Sequence, residues 1–380
     1  MGGSGGLPPG LLIRGREAPD LFPFPGVARY HPTNLRRPET ARPVELPSPP
    51  PTSSSFRVRP FQPAWWLPGA HLQTVVGRFL RPAPDPGLRR ERLDTPDGDF
   101  LLLDVGPEPA PDAPTALVLH GLEGSSDRSY ARVALAGLHR RGIRPVGLNF
   151  RSCGGEMNRT ARAYHSGETD DLAFVVEHLL ERFPGRPLGL VGFSLGGNIL
   201  LKYLGEREAG VPSEVAAAAS ISVPFDLVEG SRALEFGAMG KVYTYYFLRQ
   251  LRRKAASKAA LLESLVDLEE VLAARTIRAY DEAHTARIHG FEHALDYYRR
   301  CSSLAFLPGI RVPTLLLQSR DDPFLPDGLP RQEVEGNPSL IPGFTPVGGH
   351  VGFVEGEHPA AASFWAEEEA TRFLAHELFR

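Results

Sequence analysis

Cysteine is scarce in this 380-residue chain: only Cys153 and Cys301 occur, far apart and outside any metal-ligand spacing. A disulfide framework is thereby excluded, and a reducing compartment, the cytoplasm, is the expected location. A single Cys153–Cys301 bridge is the one disulfide left open. Lysine is rarer than arginine by far, with four lysines among 42 basic residues. Charge of either sign is not in excess: 42 basic residues face 45 acidic ones, for a formal net charge of −3. Such a balance gives a polyanion nothing to bind, so nucleic acid is not an expected partner. No run of about 18 or more apolar residues exists, the longest candidate, Leu188 to Leu201, being broken by Gly, Ser and Asn. An integral membrane segment is therefore not expected, nor is a signal peptide, because the opening MGGSGGLPPGLLIRGREAPD lacks a basic stretch followed by an apolar core. Neither a G-x-x-x-x-G-K-[ST] phosphate loop nor an H-E-x-x-H zinc motif occurs. No cofactor and no metal are expected, and the composition sets no oligomeric state.

What is present suffices for a large core: 42% of the residues are hydrophobic, ordinary for a globular protein. Residues 1–60 form a separate zone, Pro- and Gly-rich, ending in Pro47-Ser-Pro-Pro-Pro51 and Ser53 to Ser55. Apolar periods of 2 or 3.6 residues are missing there. A flexible or surface-wrapping extension is expected, with a partner-binding polyproline segment as the alternative. Removing residues 1–55 should then spare turnover.

The domain is expected over residues 61–380. Arg90 to Asp94 and Phe100 to Val105 read as strands joined by the turn Pro96-Asp-Gly98. From Thr115 short apolar strands alternate with helical segments. The strands are Ala116–Leu119, Pro145–Phe150, Leu188–Phe193, Ala216–Ser222 and Thr314–Gln318. The helices are Tyr130–Arg141, Thr169–Phe183, Leu195–Leu204 and Phe364–Leu378. This alternation argues for an α/β fold with a mostly parallel sheet covered by helices on both faces. The segment from about 224 to 308 interrupts it with helical stretches such as Tyr245 to Leu272. An insertion there would sit over the C-terminal edge of the sheet, where open α/β sheets bind ligands, and is read as a cap; a structural helical layer is the alternative.

Gly192-Phe-Ser-Leu-Gly-Gly197 matches G-x-S-x-G, with a strand before it and a helix after it. A serine on such a sharp turn projects its hydroxyl off the sheet, and the helix N-terminus presents amides to an oxyanion. Ser194 is the expected nucleophile. It needs a base, and His350 in Gly348-Gly-His350 follows the apolar segment Ile341 to Val347 on a loop able to reach it. The acid that orients the base is assigned to Asp322 in Asp321-Asp-Pro-Phe-Leu-Pro326, with Asp321 structural. Asp226, after the preceding strand, is the rival. The oxyanion hole is assigned to the amides of Leu195 and Leu122, the latter in His120-Gly-Leu-Glu-Gly124. His120 is read as a loop residue and Cys153 as structural.

Taken as a set, these motifs resemble those of a known family. Pro63-Ala-Trp-Trp-Leu-Pro-Gly-Ala-His-Leu-Gln-Thr74, Asn149-Phe-Arg-Ser-Cys-Gly-Gly-Glu156, Tyr164-His-Ser-Gly167, Gly192-Phe-Ser-Leu-Gly-Gly-Asn198, Asp321-Asp-Pro-Phe324 and Gly348-Gly-His-Val-Gly-Phe353 are similar to segments of the AB hydrolase 4 family. These are YheT-like α/β-hydrolases related to ABHD-type lipases. The resemblance implies carboxylic ester hydrolysis by a Ser194–Asp322–His350 triad, with a small-molecule ester, expected to be short- to medium-chain, as substrate. Acyl-alcohol transfer and lipase action on acylglycerols or phospholipids are the alternatives it also implies. The Pro-rich N-terminus departs from the anchored relatives, and Arg151-Ser-Cys-Gly departs from the more usual Arg-Gly-Cys-Ser-Gly.

Overall fold

The computed structural model describes residues 54–325 and 328–380. The extension expected over 1–60 lies outside the described residues up to position 53. Within the described residues, its last part, 54–60, packs against the domain expected over 61–380. Phe56 is buried, its ring 5.1 Å from that of Phe373, and the backbone of Arg59 accepts a hydrogen bond from the Trp365 indole. Phe56, with the partly buried Val58 and Phe61, packs this stretch onto the core.

Eight strands form the sheet: β1 Arg89–Asp94, β2 Phe100–Val105, β3 Thr115–Leu119, β4 Arg144–Asn149, β5 Leu188–Phe193, β6 Val215–Ile221, β7 Thr314–Ser319 and β8 Leu340–Thr345. Their order is β1-β2-β4-β3-β5-β6-β7-β8, with β2 antiparallel to both β1 and β4 and the remaining pairs parallel. Every residue of β3 and β5 is buried, as strands covered on both faces must be.

The two-residue period sorts side chains to two cores. Leu117, Leu119, Leu188 and Leu190 point to one, where the helices α3 (Thr169–Arg182) and α4 (Leu195–Arg207) pack. Ala116, Val118, Val191 and Phe193 point to the other, against α2 (Ser129–Arg140) and the closing helix, α8 (Trp365–Leu378). A helix before β1, α1 (Ala70–Leu80), was not expected; its apolar residues Leu72, Val75, Val76, Phe79 and Leu80 recur at helical spacing, although only Gln73 and Gly77 are buried.

Between β6 and β7 lie the helices α5 (Leu227–Glu235), α6 (Gly237–Ser257) and α7 (Ala294–Cys301), with shorter turns between the last two. These build small apolar clusters of their own, one around Leu248, Leu262, Val271 and Tyr280 and one around Leu227, Tyr297 and Tyr298. None of the described helices is long and apolar enough to cross a membrane. Cys153 and Cys301 are both free and buried.

Candidate active site

Ser194 sits between β5 and α4 with φ 51° and ψ −120°, a left-handed conformation rare for a residue with a side chain. The turn is held by two ordinary hydrogen bonds: its N–H donates to Ile221 O at 2.8 Å, and its carbonyl accepts from Asn198 N–H at 3.0 Å. Gly196 allows the approach of the neighbouring loop. A Cβ there would lie 2.5 Å from His120 O and 2.7 Å from Leu119 O, so any side chain would push the β3 loop off the first turn of α4.

His350 brings its Nε2 to 2.9 Å from Ser194 Oγ. Its Nδ1 lies 2.9 Å and 3.1 Å from the two carboxylate oxygens of Asp322. Asp322 is 1% exposed and also accepts from Phe324 N–H at 2.9 Å and Gln318 Nε2 at 3.0 Å. With both carboxylate oxygens accepting, the imidazole keeps its proton on Nδ1 and leaves Nε2 as an acceptor toward the serine. The three side chains chosen from chain order thus meet.

Asp226 does not join them: its carboxylate caps α5, accepting from Val228 and Glu229 N–H at 2.8 Å and 3.2 Å. Asp321 accepts from Gly349 N–H at 2.9 Å and so anchors the histidine loop.

That loop is braced from α1, a contribution sequence periodicity does not reveal. Thr74 Oγ1 accepts from His350 N–H at 2.9 Å while donating to Ala70 O at 2.7 Å. Gly349 has φ 64°, and a Cβ on it would lie 2.4 Å from Ala70 O, so the loop can lie on the helix only with glycine there. Ser222 Oγ, on a residue with φ 53°, accepts from Val351 N–H at 2.8 Å. The signal for α1 lay in the helical spacing of Leu72, Val75, Val76, Phe79 and Leu80, which overlaps the motif ending at Thr74.

In the His120–Gly124 loop three amides are already engaged. Gly121 donates to Tyr130 Oη, Glu123 to Tyr164 Oη and Gly124 to Gly121 O. Among the described residues the Leu122 amide has no acceptor. Leu195 opens α4, so its N–H lies ahead of the intrahelical ladder. These are the two donors expected from the sequence, and both residues line the cavity that holds Ser194 and His350. His120 is fully enclosed, its Nδ1 donating to Gly121 O at 2.7 Å and its Nε2 accepting from Phe150 N–H at 3.2 Å. Burial pushes its pKa down to about 3, which keeps it neutral and unsuited as a second base. Cys153 is equally buried, its thiol pushed up to about 11, so it is no thiolate nucleophile.

The cavity is about 150 Å³ and runs under the inserted helices, whose Leu234, Phe247, Leu251 and Ile277 supply apolar walls. Phe324 stands edge-on to the His350 ring at 4.1 Å and meets Tyr243 of α6 at 4.7 Å, which ties the insertion to the histidine. One cluster has metal-binding composition, His165, Glu168 and His289, with ligand atoms within 4.8 Å of one another. There the His165 Nδ1 accepts from Gly167 N–H at 3.1 Å, which puts the ring proton on Nε2, facing Glu168. A metal there would have to displace that proton, and the cluster has no part in the triad.

Comparison with known proteins bears on the family and the fold. Residues 114–357 match the family model described as the alpha/beta hydrolase fold. The chain is similar to YheT of Escherichia coli strain K12, provisionally named an esterase, at 37% identity covering 83% of this chain and 92% of that one. Phospholipase ABHD3 of Mus musculus is 31% identical, covering 80% of this chain and 75% of its own. A monoacylglycerol lipase of Saccharomyces cerevisiae is 32% identical over 69% of this chain and 59% of its own length. Among solved structures, an esterase of Pyrococcus furiosus superposes with a TM-score of 0.52 at 16% identity, over 77% of this chain and 91% of that one, a likeness of fold.

Proposed function

This chain belongs to the α/β-hydrolase family, and from that premise we propose that Ser194, His350 and Asp322 hydrolyse carboxylic esters through an acyl-enzyme. The observation that carries the reading is the unbroken hydrogen-bonded line from Ser194 Oγ through both nitrogens of His350 to the buried Asp322. The coarser conclusion, an esterase- or lipase-type hydrolase, rests on relatives that carry the names of ester-cleaving enzymes.

Ser194 Oγ attacks the acyl carbon as its proton passes to His350 Nε2. The oxyanion so formed accepts hydrogen bonds from the amides of Leu195 and Leu122, which stabilise charge present only in the tetrahedral state. Asp322 fixes the ring and stabilises the imidazolium. His350 then gives its proton to the leaving alcohol and the C–O bond breaks. Water enters in the alcohol's place, loses a proton to His350 and releases the acid, with the proton returned to Ser194.

The cavity limits what is held during this sequence. At about 150 Å³ it matches a benzene-sized apolar guest, which favours acyl groups of about six carbons. The test is turnover of p-nitrophenyl esters together with fluorophosphonate labelling, in wild type and Ser194→Ala. Loss of labelling and a fall in kcat on the order of 10⁶ are expected. Equal behaviour of the two proteins would remove the nucleophile.

A further inference from the structure

The substrate cavity is not apolar throughout. At the insertion, the run Asp281–Thr285 winds as a π-turn between two α-helical turns, a local irregularity often found at functional sites. It directs Asp281, His284 and Thr285 to the lining of the cavity that also holds Ser194. Asp281 is buried. One carboxylate oxygen accepts from Thr285 Oγ1 and the other from Tyr298 Oη, each at 2.7 Å.

A carboxylate offers about four acceptor positions, so two remain unused. No basic side chain among the described residues pairs with it, and burial pushes its pKa up to about 6. On the same turn His284 is 6% exposed, stacks on Tyr280 at 4.8 Å and has a buried Nδ1 without a hydrogen-bond partner. Two buried polar groups with spare capacity, in a cavity also lined by Glu123, Arg151, Lys254 and Lys258, are costly unless something fills them.

We infer that Asp281, on the same turn as His284, forms a polar subsite that selects esters whose acyl chain ends in a hydrogen-bond donor, a hydroxyl or an ammonium group. The acyl side is the one concerned, because the leaving alcohol must escape and be replaced by water while the acyl group stays on the enzyme. The inference rests on the acyl-enzyme reading above. In it the walls around Phe247, Leu251 and Ile277 take the methylene chain, and Asp281 accepts from the terminal group. A plain alkyl end would leave the carboxylate unpaired, which penalises it relative to the hydroxyl-ended analogue.

The test compares kcat/KM for p-nitrophenyl esters of six-carbon acyl groups ending in methyl, hydroxyl or ammonium. Wild type should favour one of the donor-ended esters by about tenfold or more over the methyl-ended one. A hydroxyl preference and an ammonium preference distinguish the two donor classes. Asp281→Asn removes the charge and should abolish an ammonium preference; Asp281→Leu removes the acceptor and should abolish a hydroxyl preference. Asp281→Leu also removes the penalty on a plain alkyl end, so its kcat/KM for the methyl-ended ester should rise above that of wild type. Fluorophosphonate labelling of Ser194 checks that each variant is folded, and Asp281→Asn decides if the leucine variant is not. A wild type that prefers the methyl end, or a preference unchanged in the variants, overturns the subsite and leaves the triad standing. Absence of both turnover and labelling in wild type would fell the acyl-enzyme reading and the subsite with it.

Discussion

Asp322→Asn separates the two carboxylates that chain order leaves in competition. Asparagine keeps the shape of the side chain but turns one acceptor oxygen into a donor. Three donors face it: Phe324 N–H, Gln318 Nε2 and His350 Nδ1, at 2.9, 3.0 and 2.9 Å. The Phe324 amide cannot turn round. Gln318 cannot turn freely either, since its Oε1 accepts from Val223 N–H at 2.8 Å.

The group that can adapt is the imidazole, by moving its proton from Nδ1 to Nε2. That nitrogen then carries a proton 2.9 Å from Ser194 Oγ and cannot take another. The expected loss in kcat is about 10⁴, or roughly 5 kcal/mol in the barrier, as for the same change in an analogous triad. Asp226→Asn changes only the cap of α5, where asparagine serves about as well, so kcat should hold. Steady-state p-nitrophenyl ester kinetics, with thermal melts to confirm folding, read both variants. An Asp322→Asn enzyme within about tenfold of wild type, or a collapse in Asp226→Asn instead, would refute the tautomer argument.

Thr74→Val removes the acceptor for His350 N–H, and an unsatisfied buried amide costs about 1–3 kcal/mol, so kcat should fall about ten- to a hundredfold; Thr74→Ser should restore it. Stability should depend on His284, whose pKa burial pushes down to about 4. Its folded value lies below the unfolded one, so the unfolded chain binds the extra proton and stability is lost as pH falls from about 6.5 toward 4. Urea midpoints at pH 7 and pH 5 should therefore converge in His284→Phe, by about 1.4 kcal/mol per pH unit at most; an unchanged gap would contradict this. Glu168 and Asp281, both raised to about 6 by burial, act with the opposite sign and stay constant in that comparison. Added ethanol should yield free acid as the main product; ethyl ester in excess would favour acyl transfer to alcohols.

Much of the architecture was legible because buried parallel strands leave few choices. Leu188–Phe193 and Phe100–Val105 are found with the ends expected from sequence, each an apolar run closed by turn chemistry. G-x-S-x-G was legible for a related reason, since only a tight strand-to-helix turn requires small residues at those spacings. Chain order and local context also pointed to His350 and Asp322.

What sequence could not decide was anything set by contacts between distant segments. Asp322 and Asp226 both follow strands, and only the sheet order, which puts β7 next to β8 and its loop beside the histidine loop, separates the triad acid from the helix cap. The support of His350 by Thr74 joins positions 276 residues apart, a pairing that no pattern local to either segment records. Phe56 was hidden among prolines because its partner Phe373 lies at the other end of the chain. Local pattern records which face of an element is buried; which element it is buried against is fixed only when the chain folds.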